Sequence, residues 1–487
     1  MELNKIARRE INNIVNEGGS IVIERIPEIQ LYLEASNFKI KTDDFYKSND
    51  DKIKSLIDKT QKCQYEYVLG LSKFLSDCGM KTSPVVMLSR LSHAGGHFGT
   101  VDIDTKKKFM QIFNTPQRIA EAIGLQNHGY LHLNSSFKKC VLRNALENMT
   151  PYTLQKNKMN NRKIKVKDLI KYLRPQPVIP ERSMLYKHLI EDGSMSKLPQ
   201  DKKTLIQVKS DVTMSNSEKM EYYNNNITTI PLNMLIRNLK FISENSDFRT
   251  QTNLQIKILN RLESIEDKDM RFLNVFDLIE VAIHVPAFEK VMFEVIKGFV
   301  QDMKTKFNYN NAEGTILFDF SGSMEGEAFE LGFKYLVLMS LLFDEVDLYC
   351  FSDRLHESNL NGQPFDIKKG NISRAHNDMH SYFRRLSGGT ALLGSVGRLL
   401  EIDYNIKNLV VISDEVSWVE GDNLLTDITD ISRQLKNIFT ILINPKVSCG
   451  TVFKNNMIGF SGISSNVLYN IMMGSNHQEF INFIKNY

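Results

Sequence analysis

The chain has 487 residues, 42% of them hydrophobic, and a formal net charge of +4, which favours a folded protein of two or more domains over a disordered one. Its five cysteines are widely spaced and form no C-x-x-C pair, so neither a disulfide framework nor a zinc site is indicated. The charged N-terminus does not resemble a secretory signal, and no eighteen-residue apolar run is present, so we expect a cytoplasmic protein that does not span a membrane.

Charge is divided unevenly along the chain. Residues 313–487 hold 21 acidic and 14 basic residues, a balance of −7, which leaves +11 for residues 1–312. A basic half suits a polyanion such as nucleic acid, whereas an acidic half suits a small cation. We therefore predict two domains, residues 1–312 and 313–487.

The first of these domains is predicted to be helical. A helix should begin near Pro27, which fits a first helical turn. Further apolar stripes with helical spacing, separated by short polar or Pro/Gly breaks, lie in YEYVLGLSKFLSDCG, SPVVMLSRLSHAGG, TPQRIAEAIGL, FKKCVLRNALENM and VKDLIKYL. Successive helices of this length favour an irregular stack of helical pairs of the HEAT or armadillo kind.

The most basic stretch of the chain runs from Lys138 to Arg174. It has eleven basic residues against two acidic ones, and its middle, QKNKMNNRKIKVKD, has no apolar stripe. A solvated basic loop is one interpretation of this pattern, and contact with nucleic-acid phosphates is the other. Tyr152 and Tyr172 could stack on bases or serve in packing.

The second domain begins with an apolar strand, Thr315–Phe318, which is followed by Asp-x-Ser-x-Ser at Asp319, Ser321 and Ser323. A Gly-rich loop then offers Thr390, and a second apolar strand ends in Asp414. Ligands of parallel α/β sheets bind at the carboxyl ends of the strands. Carboxylate and hydroxyl oxygens suit a small hard dication, so we predict a divalent-metal site for Mg²⁺.

This set of Asp-x-Ser-x-Ser, Thr and Asp resembles the metal-ion-dependent adhesion site of von Willebrand factor A domains, which have a Rossmann-type fold. The resemblance implies that the metal ligands are Asp319, Ser321, Ser323, Thr390 and Asp414. In such domains the metal's open position takes a carboxylate from a partner. An intracellular protein-interaction adaptor, bound through this site to a nuclease or another protein, is therefore an alternative function.

Several helical segments together resemble the Ro (TROVE) family of RNA-binding proteins. They are FKKCVLRNALENM through KDLIKYLRPQP, YVLGLSKFLSDCGMKTSPVVML and TIPLNMLIRNLKFI. The second domain agrees through FSD at Phe351–Asp353 and through the closing IGFSGISSNVLYNIM. The family's Gly-Trp-Ser-His before the K-D-L helix is replaced here by RKIKV, so phosphate contact is better supported at that point than stacking.

The Ro resemblance implies a ring of helical repeats closed by the A-type domain. It implies an RNA-binding monomer that takes single-stranded ends of non-coding or misfolded RNA into the central hole and Y-like small RNA on its outer face, for RNA quality control or as a ribonucleoprotein scaffold. The implied RNA contacts near the hole are Lys138, Lys139, Arg143 and Arg237. Those implied on the outer face are Lys156, Lys158, Arg162, Lys163, Lys165 and Lys167, and Lys171 belongs to the same basic segment.

No catalytic residue is predicted. The chain has no P-loop motif, and no histidine pairs with a Ser or Cys in a recognisable motif. A metal-dependent nuclease would need a nucleophile, a general base or a second metal beside the predicted site, and the sequence indicates none. We therefore expect a binding protein rather than an enzyme.

Overall fold

The computed structural model combines many α-helices with one seven-stranded sheet, which confirms the predicted mixture of an α and an α/β architecture. It describes residues 26–36, 38, 50–94, 102–150, 153–154, 163–177, 180–191, 215–245, 253–265, 273–310, 313–356, 366–386, 388–389, 391–403, 405–414, 435, 438–445, 451–454, 457–461 and 467–487. No helix within these ranges is both long enough and apolar enough to cross a bilayer.

The chain divides into two compact units. The first, called the helical unit here, comprises residues 23–201 and 478–487, and the second, the sheet unit, comprises residues 1–22 and 202–477. The predicted boundary between residues 312 and 313 falls inside the sheet unit, which also includes a group of helices that precede the sheet. The final helix of the chain belongs to the helical unit.

The helical unit is built from short helices that bury one apolar face each. They are α1 (Pro27–Ser36), α2 (Asp50–Gln61), α3 (Tyr65–Asp77), α4 (Ser83–Ala94), α5 (Ile103–Ile112), α6 (Pro116–Asn127), α7 (Ser135–Phe137), a π-helix (Lys138–Arg143), α8 (Asn144–Asn148), α9 (Val166–Leu173) and α10 (Pro180–Ile190). All five helices predicted from apolar stripes are present, as is the helix at Pro27. The stretch FKKCVLRNALENM differs from a regular helix, because its centre winds as the π-helix.

The last helix, α21 (His477–Asn486), packs in the helical unit. Phe480 is fully buried, with its ring 4.8 Å from that of Tyr32 and 6.3 Å from that of Phe74. At Gly70 of α3, an added Cβ would lie 1.9 Å from the carbonyl oxygen of Ile484, so only glycine permits this approach of the two helices. Ten residues at the end of the chain thus complete the core of a unit that begins at residue 23.

The sheet unit opens with helices α11 (Asn216–Asn226), α12 (Leu232–Ile236), α13 (Leu239–Glu244), α14 (Asn253–Glu263), α15 (Val275–His284) and α16 (Glu289–Lys306). The strands are β1 (Glu313–Asp319), β2 (Glu345–Phe351), β3 (Leu355–His356), β4 (Asn408–Ile412), β5 (Phe439–Asn444), β6 (Thr451–Lys454) and β7 (Met457–Ser461). Helices α17 (Glu327–Leu342), α18 (Ile372–Leu386), α19 (Leu392–Ile402) and α20 (Val467–Ser475) alternate with them.

The strand order is β3-β2-β1-β4-β5-β7-β6, and only β3 and β6 pair antiparallel to their neighbours. Strand β1 is central and buried on both faces, as its apolar run predicts. Leu317 packs in a core with Leu399 of α19, while Phe318, on the opposite face, lies against Gly332 of α17. Because β1 pairs with β4 in parallel, with Phe318 opposite Ile412, both strands end at the same edge.

Candidate functional site

The loops that leave β1 and β4 bring four of the predicted metal ligands together. Asp319 ends β1, and its Oδ1 accepts from the backbone N–H of Ser321 at 2.7 Å. The Oγ atoms of Ser321 and Ser323 are 2.9 Å apart, and Ser323 Oγ donates to Asp414 Oδ1 at 2.9 Å. Two carboxylates and two hydroxyls therefore form one hydrogen-bonded cluster, which we call the oxygen cluster.

The fifth predicted ligand, Thr390, lies outside the described residues, but the residues around it border the oxygen cluster. The N–H of Gly322 donates to the carbonyl of Gly388 at 3.0 Å, and the N–H of Ala391 donates to the carbonyl of Ser352 at 2.7 Å. The Gly-rich loop is thus tied to the Asp-x-Ser-x-Ser loop on one side and to the end of β2 on the other.

The members of the oxygen cluster differ in exposure. Asp319 and Ser321 are buried, whereas Asp414 is partly exposed and Ser323 is exposed. Burial raises the pKa of Asp319 to about 6, and the nearby charge of Asp414 acts in the same direction, while hydrogen bonds from Ser413 and Ser321 oppose the shift. The site therefore combines a buried carboxyl, which burial disfavours as an anion, with one exposed hydroxyl, that of Ser323.

The donor chemistry of the oxygen cluster fits a small divalent cation. A hydroxyl that donates its proton to a carboxylate keeps its lone pairs for a metal, and a cation would offset the burial penalty on the Asp319 anion. Among the described residues no group of three or more His, Cys, Asp or Glu side chains is placed to hold a metal, so any metal here would depend on the serine hydroxyls.

Three residues that support the oxygen cluster were not predicted from the sequence. Ser413 donates to Asp319 Oδ2 at 2.5 Å, and Asn444, at the end of β5, donates to the carbonyl of Asp414 at 2.9 Å. The buried Ser352 accepts the N–H of Ala391 at its backbone carbonyl, at 2.7 Å, and so helps to position the Gly-rich loop that borders the oxygen cluster. Ser413 could have been found from its place beside Asp414, whereas the other two depend on strand order, which the sequence alone does not give.

The described part of the basic segment lies on two elements that pack together, the π-helix and α9. Helix α9 buries Val166, Leu169, Ile170 and Leu173, and so turns Lys171 and Tyr172 outward. Lys138 Nζ lies 5.8 Å from the centroid of the Tyr172 ring, which is 46% exposed. The Tyr172 hydroxyl accepts from Gln126 Nε2 at 3.1 Å, which fixes the orientation of the ring.

Three described lysines of this segment are placed to meet a polyanion. Lys139, Lys163 and Lys171 are exposed, and none of them forms a salt bridge within the described residues. Lys138, Lys165 and Lys167 are partly buried. Lys156, Lys158, Arg162 and Tyr152 lie outside the described residues. We call Lys138, Lys139, Lys171 and Tyr172 the basic face.

Two arginines that are predicted to contact RNA have partners within the protein. Arg143 donates Nε and Nη2 to the carbonyl of Arg174, at 3.0 and 2.6 Å, and its Nε lies 3.8 Å from Glu147 Oε1. Arg237, in the sheet unit, pairs with Asp277 at 2.7 Å. Any RNA contact by these two guanidinium groups stays a prediction, whereas the structure assigns them local bonds.

Comparison with known proteins establishes the fold. The crystal structure of the Ro (RSR) protein of Deinococcus radiodurans matches this chain with a TM-score of 0.56 and 11% sequence identity, over 93% of this chain and all of that one. No protein-family model matches the sequence, and no curated protein matches it. The chain therefore has a Ro-like fold.

Proposed function

We propose that this chain binds RNA through the basic face of its helical unit. The observation that carries the proposal is the contact of Lys138 with the exposed ring of Tyr172. Lys139 and Lys171, which flank these two residues in the chain, are exposed and form no salt bridge among the described residues. Ammonium groups neutralise phosphates, and an exposed, oriented aromatic ring stacks on an unpaired base. This combination favours single-stranded RNA over a duplex, whose bases are already stacked.

The Ro-like fold and the motifs that resemble the Ro family support a finer proposal. We infer that the RNA is a non-coding or misfolded one, held by a single-stranded end, and that structured Y-like RNA binds at the basic segment as well. A HEAT-like ring closed by the A-type domain would separate these two modes of binding. The chain would then act in RNA quality control or as a ribonucleoprotein scaffold, as a cytoplasmic monomer without catalysis.

A divalent ion, Mg²⁺ in this proposal, belongs to the oxygen cluster. Asp319, Ser321, Ser323 and Asp414 would hold it together with Thr390, as in a von Willebrand factor A domain. When bound, the ion supplies a positive charge with a coordination position for an outside oxygen ligand. The exposure of Ser323 favours the alternative function, in which a carboxylate of a nuclease or another protein partner takes that position.

The RNA proposal is tested by the salt dependence of binding. Fluorescence anisotropy with a labelled oligouridine and with an RNA hairpin should give affinities that fall steeply between 50 and 300 mM salt. Each neutralised phosphate of a single strand contributes a slope of about −0.7. The double variant Lys139→Ala/Lys171→Ala should therefore reduce the slope by about 1.4, which amounts to an affinity loss of about 14-fold at 0.15 M salt.

The matched control is Lys54→Ala/Lys107→Ala, which removes the same number of charges from the helical unit. Both of these lysines are exposed but pair with a carboxylate, Asp50 and Asp104 respectively. The control should keep the slope of the unmodified chain. Binding that is weak and independent of salt, or an equal loss in both variants, would refute the proposal.

A further inference from the structure

The helical unit has a cavity of about 320 Å³ beside helices α9 and α10 that no predicted site includes. Its volume is at the lower end of the range for small-ligand sites, about 300 to 1,000 Å³. It therefore has room for one ligand about the size of a mononucleotide. The residues that line it are Ile170, Arg174, Pro175, Pro177, Ser183, Tyr186, Lys187, Ile190 and Glu191.

The lining combines apolar walls with charged groups at the rim. Ile170, Pro175 and Ile190 present flat or branched hydrocarbon surfaces, which suit the faces of a planar ring. Arg174 and Lys187 are exposed and supply two positive charges. This is the lining expected for a ligand that has an apolar planar part and an anionic part.

One residue that lines the cavity, Tyr186, has a buried polar atom with no hydrogen-bond partner among the described residues. Tyr186 is 5% exposed, and its buried hydroxyl makes no hydrogen bond within the described structure. A buried polar group without a partner costs about 1 to 3 kcal/mol, so such groups are rare unless a ligand satisfies them. Burial raises the pKa of Tyr186, so at neutral pH the hydroxyl is protonated and able to donate.

Hydrogen bonds from residues outside the cavity fix the position of the wall that contains Arg174. Arg143 donates two hydrogen bonds to the carbonyl of Arg174, and Glu147 Oε1 accepts from the N–H of Gln176 at 2.6 Å. Arg174 itself adopts a left-handed conformation, with φ of 49°, which ends α9 and starts the wall. These bonds preform the cavity, and Arg143, predicted to contact RNA, acts here as a positioning residue.

We propose that this cavity binds a single unstacked nucleotide of the RNA held by the basic face. The base lies between the proline and isoleucine side chains, with its polar edge on the Tyr186 hydroxyl, and the phosphate meets Arg174 and Lys187. Glu191, also at the rim, accepts from an amino group of the base or from a ribose hydroxyl and disfavours bare phosphate. The inference rests on the proposed RNA function and adds a site selective for single strands.

The test uses the full chain and ligand-observed NMR with AMP, GMP, CMP, UMP and inorganic phosphate as separate probes. At least one nucleotide should bind and should not be displaced by an equal concentration of phosphate. Tyr186→Phe keeps the ring and removes the hydroxyl, so it should weaken nucleotide binding about 10-fold through the loss of one hydrogen bond. Because that hydroxyl has no protein partner, the variant should melt no lower than the unmodified chain.

Tyr309→Phe serves as the control, since Tyr309 is also buried but does not line the cavity. It should bind nucleotides like the unmodified chain. If single-stranded RNA binds with the expected salt slope but no nucleotide binds, or if Tyr186→Phe binds nucleotides normally, the cavity proposal is overturned and the RNA function stands. Full displacement of the nucleotide by phosphate would mean that the cavity recognises only an anion, which also overturns the cavity proposal. Absence of RNA binding would refute the proposed function itself.

Discussion

Replacing Asp319 by Asn should stabilise the metal-free protein at neutral pH. Burial raises the pKa of this carboxyl to about 6, against 3.8 for the same group in the unfolded chain. The folded state therefore binds the proton more tightly, and stability falls as pH rises from about 4 to above 6. At about 1.4 kcal/mol for each pKa unit, the loss at pH 7 reaches about 3 kcal/mol. An amide remains uncharged and keeps the acceptor for the Ser321 N–H, so it avoids this loss.

The assay is urea unfolding in EDTA at pH 4 and at pH 7, with Asp347→Asn as the control. Asp347 is an exposed carboxylate on β2 of the same sheet. Asp319→Asn should exceed the unmodified chain by up to about 3 kcal/mol at pH 7 and match it at pH 4, where both side chains are neutral. A variant that is less stable than the unmodified chain at pH 7, or that shows the same pH dependence, would refute this reasoning.

Addition of Mg²⁺ should reverse the order of the two proteins at pH 7. A ligand that binds only the folded state at 1,000 times its Kd stabilises by about 4.1 kcal/mol, which exceeds the lead of about 3 kcal/mol that Asp319→Asn has without the ion. The unmodified chain and Asp347→Asn should gain this stability, and Asp319→Asn should not, because it lacks the anion that attracts the ion. Equal gains in all three proteins would place the ion elsewhere.

Two further substitutions test the helical unit. Phe480→Ala should lower the free energy of unfolding by about 3 to 5 kcal/mol, because it opens a cavity beside Tyr32 and Phe74. Urea unfolding measures this loss. The control Gln478→Ala, at an exposed position of the same helix, should change the free energy of unfolding by less than about 0.5 kcal/mol. Tyr172→Ala should weaken binding of oligouridine by about 1 to 3 kcal/mol in anisotropy titrations, whereas Tyr172→Phe, which keeps the stacking face, should bind nearly as well. Equal effects of the two Tyr172 variants would mean that the ring does not stack on RNA.

The oxygen cluster shows how far a sequence can place a site. Two apolar strands in parallel must end at one edge of the sheet, so the convergence of Asp319 and Asp414 follows from their position after such strands. The position of Ser413 at the same edge of the sheet follows in the same way, because this residue lies between β4 and Asp414. Asn444 and Ser352 could be predicted to lie near the oxygen cluster only if the order of the strands were known. That order depends on how the helices cover the sheet.

The helical unit was harder to predict than the sheet. The amphipathic stripes predicted the helices of this unit. A stripe indicates that one face of a helix is buried, but it does not indicate which other element packs against that face. The apolar side chain of Phe480 therefore did not predict that the last helix would pack beside α3 rather than with the sheet. The cavity at Tyr186 could not be predicted from the sequence either. Whether a hydroxyl has a hydrogen-bond partner depends on the atoms that the fold places around it.

The proposed binding of RNA to the basic face of the helical unit can be tested without any assumption about affinity. Its most direct test is photo-cross-linking of a single-stranded RNA that contains 4-thiouridine to the purified chain, followed by mass spectrometry of the adducts. We expect adducts in peptides that cover residues 138–143 and 163–174, and we expect these adducts to be lost in Tyr172→Ala. Adducts confined to residues 313–475, with residues 138–174 unmodified, would contradict it.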